Sequence, residues 1–185
     1  MRVGRDFFAR PVDEVAHGLI GVTLLVDGVG GRIVEVEAYD QDDPASHSFC
    51  GRTPRNAAMF GPPGQAYVYR SYGIHWLLNL VCEGEGAGAA VLIRAIVPEV
   101  GRETIAARRP DLRERDWCRG PGRLATALAI GPEHDGLALD MEPFVLARAT
   151  RGPGPVVART RRIGITKAVE RERRFIEAGS RSVSG

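Results

Sequence analysis

Hydrophobic and polar positions alternate with a period of two through much of the first hundred residues, the spacing of half-buried strands. The clearest run is Arg32–Tyr39. Val34, Val36 and Ala38 form a wholly apolar face assigned to the core, and Ile33, Glu35, Glu37 and Tyr39 form the other. Val22–Val26 reads as the strand before it, with Asp27-Gly28 as the turn between. Ala66–Tyr72 and His75–Cys82 read as a further pair divided by Gly73. After the Gly-rich stretch Glu83–Gly88 comes Ala89–Val97, an apolar strand broken by one charge, Arg94.

Helical signals flank this block. A short helix is expected from Pro11 to Ile20, with Pro in its first turn, Asp13 and Glu14 at the positive end of the dipole and Gly21 as the stop. Two more are expected at Glu103–Arg109 and Arg123–Ile130, punctuated by Pro110 and Gly131-Pro132. Pro143–Thr150 and Val156–Thr160 read as late strands, with the Pro/Gly cluster at 152–155 as a loop inside the same unit. Strands, then inserted helices, then strands again predict an α+β fold. It is expected to be a single domain over residues 1–185, mostly antiparallel β-sheet with inserted and flanking helices.

Composition narrows the class. A chain of 185 residues has room for one domain. With 44% hydrophobic and 26% charged residues, disorder along the whole chain is excluded. No apolar run approaches the roughly 18 residues needed to span a bilayer. Asp6 stands where the apolar stretch of a signal peptide would begin, so the expected location is the cytoplasm. Cys50, Cys82 and Cys118 are odd in number and widely spaced, which predicts reduced thiols and no zinc knuckle. His17, His47, His75 and His134 are scattered with no metal-binding spacing, so no metal and no cofactor are expected.

The net charge of +2 hides an asymmetry. Residues 148–185 carry ten basic and three acidic side chains, the rest fifteen and twenty, so +7 stands beside −5. A basic segment of this kind hints at a polyanionic partner, although a solvated Arg-rich face explains it equally well.

Several positions carry candidate chemistry. Glu35 and Glu37 share a strand face with Tyr39, although carboxylates on a strand are more often surface residues than catalysts. Tyr67, Tyr69 and Ser71 share a face of the 66–72 strand, which places three of the four tyrosines within six residues. Clustered aromatics usually pack across strands, but they also serve to stack on a planar base. The 26 residues between Tyr39 and Ala66 hold His47, Arg52, Thr53, Arg55 and Asn56, and loops of that length tend to be functional. Arg94, inside an apolar strand, needs a partner, and a carboxylate such as Glu37 would serve.

Val36-Glu37-Ala38-Tyr39, Ala45-Ser46-His47-Ser48, Gly51 through Phe60, Gly64 through Tyr69, Tyr72-Gly73, Leu78-Asn79 and Val91 through Ala95 resemble the alkyladenine (3-methyladenine) DNA glycosylase family in order and spacing. Arg119 through Leu128, Arg162-Ile163-Gly164-Ile165 and Arg174-Phe175 fit it too, so the resemblance covers roughly residues 5–180. It implies a base-excision enzyme acting on double-stranded DNA that contains damaged purines: 3-methyladenine, 7-methylguanine, hypoxanthine or ethenoadenine. Glu37 then matches the general base that activates water. Arg94 helps hold that water and the DNA backbone, and the Ile163 carbonyl is a third water ligand. Tyr39, His47 and Tyr69 match the pocket around the extruded base, and Asn79 the position that clashes with the 2-amino group of guanine. Tyr72 matches the wedge left in the duplex. Arg52, Thr53, Arg55, Gly164 and the basic stretch 159–174 are the expected DNA contacts.

The chain departs from the family pattern at residues 169–176, where arginine replaces the Pro-Trp that many members place before Arg-Phe, and in the bulk around the wedge, Tyr72-Gly73-Ile74-His75-Trp76. Strand-cutting glycosylases form a Schiff base through an amine. Lys167 is the only lysine and lies outside the matching motifs, so no lyase activity is expected. His47 is the only candidate for the acid that a neutral lesion would need, and only by proximity. One site on a small domain predicts a monomer. The competing reading is a non-catalytic reader of damaged or distorted nucleic acid, which would want the tyrosines and arginines but not Glu37 or Arg94.

Overall fold

The computed structural model describes residues 1–149, 152 and 154–185. Its helices are α1 (Arg5–Phe8), α2 (Val12–Leu19), α3 (Arg102–Arg108) and α4 (Pro121–Ala127). The strands are β1 (Thr23–Val26), β2 (Val29–Tyr39), β3 (Ala66–Ser71), β4 (His75–Cys82), β5 (Ala89–Val100), β6 (Phe144–Ala147), β7 (Val157–Thr160) and β8 (Arg174–Glu177). All pairings are antiparallel, in the order β3-β4-β5-β2-β1-β6. The α+β architecture expected from the pattern is the one observed.

The long strand β2 is the spine. One edge pairs with β5 along most of its length; the other is shared, β1 taking residues 29–32 and β8 taking residues 35–37. β7 then pairs with β8. Sequence patterning missed β8, which has only four residues and two charged ends. It also missed α1 and the short 3-10 turns at Ala57–Phe60, Glu114–Asp116 and Pro132–His134. Thr150, the expected end of the sixth strand, and Pro153, within the expected loop at 152–155, lie outside the described residues.

Helix α2 buries Val12, Val15, Ala16 and Leu19, one stripe at helical spacing, against β2 and β5. Helix α4 packs on β4 and β5 through Leu124, Ala125 and Ala127. These stripes and the inner face of the sheet make the main core, with Phe8, Ile33, Val36, Ile93, Ile96 and Phe175 among its buried members. A smaller cluster of Met59, Phe60, Tyr67, Val81 and Ala90 lies under the 40–65 loop.

The expected alternation in β2 fails at one point. The ladder to β5 runs Ile33↔Ile96, Glu35↔Ala95, Val36↔Ile93, so it skips Val34 and then Arg94. Two opposed irregularities of this kind are β-bulges, which re-aim side chains. Ile33 consequently joins the main core with Val36 and Ala38, and not the face of Glu35 and Glu37 as expected. Val34 is buried but stands outside that cluster.

Where β2 passes between β1 and β5, Gly30 and Gly31 allow the close approach. A Cβ on Gly31 would stand 1.9 Å from the Val97 carbonyl oxygen and 2.8 Å from the Glu99 nitrogen, both backbone atoms. Gly31→Ala is therefore expected to destabilise the protein by about 3 kcal/mol, the scale of core overpacking. Urea unfolding beside wild type measures it; a change below about 0.5 kcal/mol, typical of an innocuous surface site, would contradict the close approach.

Candidate active site

Glu35 and Glu37 sit on β2 with 0% of their surface exposed, although carboxylates on a strand are more often at the surface. Burial of two carboxylates demands compensation, and Arg94, itself 7% exposed, supplies it. At the bulge its Nε donates to Glu35 Oε1 at 2.8 Å, and its Nη1 donates to Glu37 Oε2 at 3.1 Å. The partner predicted for Arg94 is thus two carboxylates. Burial works against the guanidinium's charge, but Glu37 and Glu35 outweigh it and hold its pKa above the ordinary value.

Glu37 is held from three sides. Its Oε2 also accepts the Tyr39 hydroxyl at 2.8 Å, and its Oε1 accepts the Ile163 backbone N–H at 2.8 Å. A carboxylate offers about four lone-pair sites. Three are taken, and the fourth is on Oε1. Burial, and then the Glu37 charge, push the Tyr39 phenol well above its usual range, so it stays protonated and remains a donor.

Both Glu37 and Arg94 line a cavity of about 610 Å³, within the roughly 300–1,000 Å³ of small-ligand pockets. Tyr39, His47, Tyr67, Tyr69, Asn79 and Ile163 line it as well, with Arg55, Tyr72, Gly164 and Lys167. The structure thus brings together residues that the sequence scatters from 37 to 167. His47 and Tyr69 meet edge to face at 4.4 Å between centroids, and Tyr67 stacks on Tyr69 at 5.4 Å. The His47–Tyr69 spacing leaves no room for a planar group between them, so the pair forms one wall. Tyr39 has the Arg162 guanidinium over one ring face, 4.6 Å from the centroid.

His47 Nδ1 lies 3.0 Å from the Tyr67 hydroxyl. Partial desolvation, and then the charge of Arg55, lower the His47 pKa below its ordinary 6.5, so the ring is neutral at pH 7. That argues against the imidazolium acid expected by proximity. Burial raises Tyr69 to about 12, which keeps a second hydroxyl protonated in the cavity. Asn79 is buried and turns its Nδ2 to the Tyr67 carbonyl at 3.1 Å.

The walls are loops, ordered by Asn56 and by the pair of Arg162 with Asp43, the last of which sequence reasoning did not single out. Asn56 Oδ1 accepts from the Thr53 amide at 2.6 Å and the Thr53 hydroxyl at 3.0 Å, and its Nδ2 donates to the carbonyls of His47 at 2.9 Å and Gly51 at 3.1 Å. Across the cavity, Arg162 and Asp43 form an ion pair with both side chains fully buried, Nη2 to Oδ1 at 3.0 Å. Arg162 Nη1 also donates to the Ala38 carbonyl at 3.1 Å, tying both loops to the end of β2.

Tyr72 sits at the tip of the β3–β4 hairpin, where Ile74 N–H donates to the Ser71 carbonyl at 3.0 Å. Tyr72 and Gly73 have φ of 49° and 67°, two successive left-handed residues as in a type I′ turn. The turn leaves Tyr72 89% and Ile74 67% exposed beside the cavity. Arg52 and Thr53 are exposed but do not line it; Arg55 and Gly164 do. The basic stretch 159–174 is largely spent on internal pairs. Arg159 meets Asp13, Arg162 meets Asp43, Arg173 meets Asp13 and Asp40, and Arg174 meets Glu35. Lys167, set aside in the sequence as distant from the motifs, stands on the cavity wall.

A model of the family described as Methylpurine-DNA glycosylase (MPG) matches residues 6–181. The chain belongs to the methylpurine-DNA glycosylase family. It is 59% identical over 180 residues to a protein of Rhodopseudomonas palustris (strain HaA2), covering 97% of this chain and 89% of that protein. It is 58% identical over 181 residues to one of Granulibacter bethesdensis, covering 97% and 85%. A protein of Nitrosospira multiformis is 58% identical over 175 residues, covering 95% and 89%. All three carry the name "Putative 3-methyladenine DNA glycosylase". The chain is thus a DNA glycosylase of the methylpurine type, a class of DNA-repair protein. Among the described residues no helix is long and apolar enough to cross a membrane.

The Asp43–Arg162 pair gives a prediction for the walls. Burial raises the Asp43 carboxyl, but the Arg162 hydrogen bond, the Ala45 amide and the charges of Arg162 and Arg173 outweigh it and hold it below the ordinary 3.8. A depressed carboxylate contributes stability that is fully present above its unfolded pKa and lost as pH falls through the folded value. Asp43→Asn should cost about 3 kcal/mol at pH 7, because it leaves Arg162 buried without its counter-charge. The gap to wild type should narrow once pH drops below 3.8. Urea titrations of both proteins from pH 7 to 3 check this; a gap independent of pH would contradict it.

Proposed function

We propose that the chain is a monofunctional DNA glycosylase. It extrudes an alkylated or deaminated purine from duplex DNA into the aromatic cavity and hydrolyses the N-glycosidic bond with a water activated by Glu37. The observation that carries this reading is the open lone pair on Glu37 Oε1, in a carboxylate already held by Arg94, Tyr39 and Ile163 inside that cavity.

The chemistry follows in order. A glycosidic carbon within a duplex is out of reach, so the nucleotide must swing out at a cost of a few kcal/mol. Stacking on Tyr39 and on the His47–Tyr69 wall offsets part of this, at about 1–3 kcal/mol per stacked base. Tyr72, with Ile74 beside it on the same exposed tip, fills the space the base leaves. Purines alkylated at N3 or N7 are cations, which electron-rich rings favour and which leave readily. Glu37 takes the proton from water as the oxygen attacks C1′, and the base departs with the bond's electron pair. Arg94 and the Ile163 carbonyl hold the water. Asn79 excludes the 2-amino group of guanine.

The residues fit a monofunctional enzyme acting as a monomer, without metal or cofactor. Lys167 is the one side-chain amine that could form a Schiff base with the abasic sugar, and the in-line carboxylate base makes it unnecessary. Candidate substrates are 3-methyladenine, 7-methylguanine, hypoxanthine and ethenoadenine. Phosphate contacts by Arg55, Arg52, Thr53 and the Gly164 backbone would make binding weaken with salt.

Duplexes with one hypoxanthine or one ethenoadenine, and methylated DNA, test the proposal by base release followed by alkali cleavage. Wild type should release base in EDTA, and Glu37→Gln should be slower by about a hundredfold or more, the contribution of a general base. Strand scission without alkali, with borohydride trapping lost in Lys167→Ala, would overturn the monofunctional assignment. No release from any substrate with tight binding retained would make the protein a non-catalytic reader of damage.

A further inference from the structure

The planar fork of an arginine normally grips a carboxylate with two parallel hydrogen bonds. Arg94 does not grip Glu37 this way. Its Nη1 alone reaches Glu37, at 3.1 Å, while Nε is turned to Glu35 at 2.8 Å and Nη2 to the Ser184 hydroxyl at 3.2 Å. A two-pronged grip would cover Glu37 Oε1 as well as Oε2, and Oε1 has the only open lone pair. Something therefore keeps the fork turned.

Glu35 is built for that task. Its Oε1 accepts from Arg94 Nε, from Arg174 Nε at 2.7 Å and from the Ser184 hydroxyl at 2.8 Å, and its Oε2 accepts the Ser184 amide at 2.5 Å. Arg174 is braced in turn by the Thr160 hydroxyl at 3.2 Å and the Ser184 carbonyl at 2.6 Å. Glu35 has no exposed surface and does not line the cavity, so it can act on the substrate only through Arg94.

We propose that Glu35 is a positioning residue: it anchors the Nε edge of Arg94 so that the guanidinium gives Glu37 one hydrogen bond and leaves Oε1 open to the attacking water. The inference rests on the base role proposed for Glu37. With Glu35 gone, Arg94 rotates onto both oxygens of Glu37, removes the water's acceptor and lowers the basicity of the carboxylate. The groups facing the two carboxylates are Arg94 from β5, Arg174 from β8, Tyr39 from β2 and Tyr69 from β3, with Arg162 behind Tyr39. Glu35 is the only negative charge among them, so its loss acts on Glu37 in one direction.

Glu35→Gln tests this, with two readouts beside a thermal melt. In single-turnover excision at saturating enzyme the rate should fall about ten- to a hundredfold, the scale of a small misplacement at a reacting group. Affinity for a duplex holding an abasic analogue should stay within about threefold, because no DNA contact is removed. The acid limb of the pH–rate profile should move to lower pH, since Glu37 is active deprotonated and loses a negative neighbour. The second readout needs no turnover: a 13C titration of glutamate side-chain carboxyls, with the Glu37 signal identified by its loss in Glu37→Gln. Its midpoint should fall in Glu35→Gln.

Glu35→Asp keeps the charge but draws it back from Nε, and should move both readouts the same way by less. It stands in if the glutamine variant fails to fold. A rate loss with an unmoved limb and midpoint would make Glu35 merely structural and overturn the proposal, as would an unchanged rate. A shifted midpoint in a protein that excises nothing would instead sink the base role of Glu37 and leave the positioning intact.

Discussion

Two carboxylates on one strand, both shut away from solvent, are the constraint around which this molecule is built. An uncompensated buried charge costs several kcal/mol, so Glu35 and Glu37 can exist where they are only if cations reach them from other elements. Arg94 arrives from β5 because the ladder slips there and turns the residue inward. Arg174 arrives from β8, whose short pairing with β2 spans residues 35–37. The loop after β7 adds the Ile163 amide. β8 at the same time buries Phe175 in the main core. The same set of bonds fixes Glu37 on the cavity wall with three of its four lone-pair sites taken.

The same economy governs the cavity walls. Loops bury little apolar surface and would be mobile if nothing tied them down. Here Asn56 folds the 47–56 segment on itself, and the Asp43–Arg162 pair locks the two loops to each other and to β2. Arg162, Arg173 and Arg174 of the basic segment serve as counter-ions to carboxylates of other elements, which takes up part of its charge excess. Arg55 and Lys167 remain exposed at the mouth of the cavity, beside the hairpin tip that presents Tyr72.

Much of this was legible in the chain itself. The period-two pattern and the apolar runs located most strands to within a few residues, and Pro and Gly marked the helix ends. Arg94 stood out because a charge in an apolar strand must be paired. The pattern failed where cooperation between strands decides. The bulges that move Ile33 into the core are a property of the β2–β5 pair, and β8 is a strand only because β2 and β7 offer it edges. Asn56 carries no periodic signal at all, since its partners are the Thr53 hydroxyl and backbone groups of its own loop.

What the sequence determined by itself is therefore the fold class, most of the longer strands and helices and the set of reactive residue types, all consequences of short-range periodicity and of motifs whose spacing is local. The resemblance carried by those motifs pointed to the family that the comparisons then showed. Only the tertiary structure decided that Glu35 and Glu37 are buried and share one guanidinium, that several arginines of the basic segment pair with carboxylates of other elements, and that Lys167 reaches the cavity. The reason is physical: burial and charge pairing depend on which distant residues arrive at the same place, and no local pattern records that.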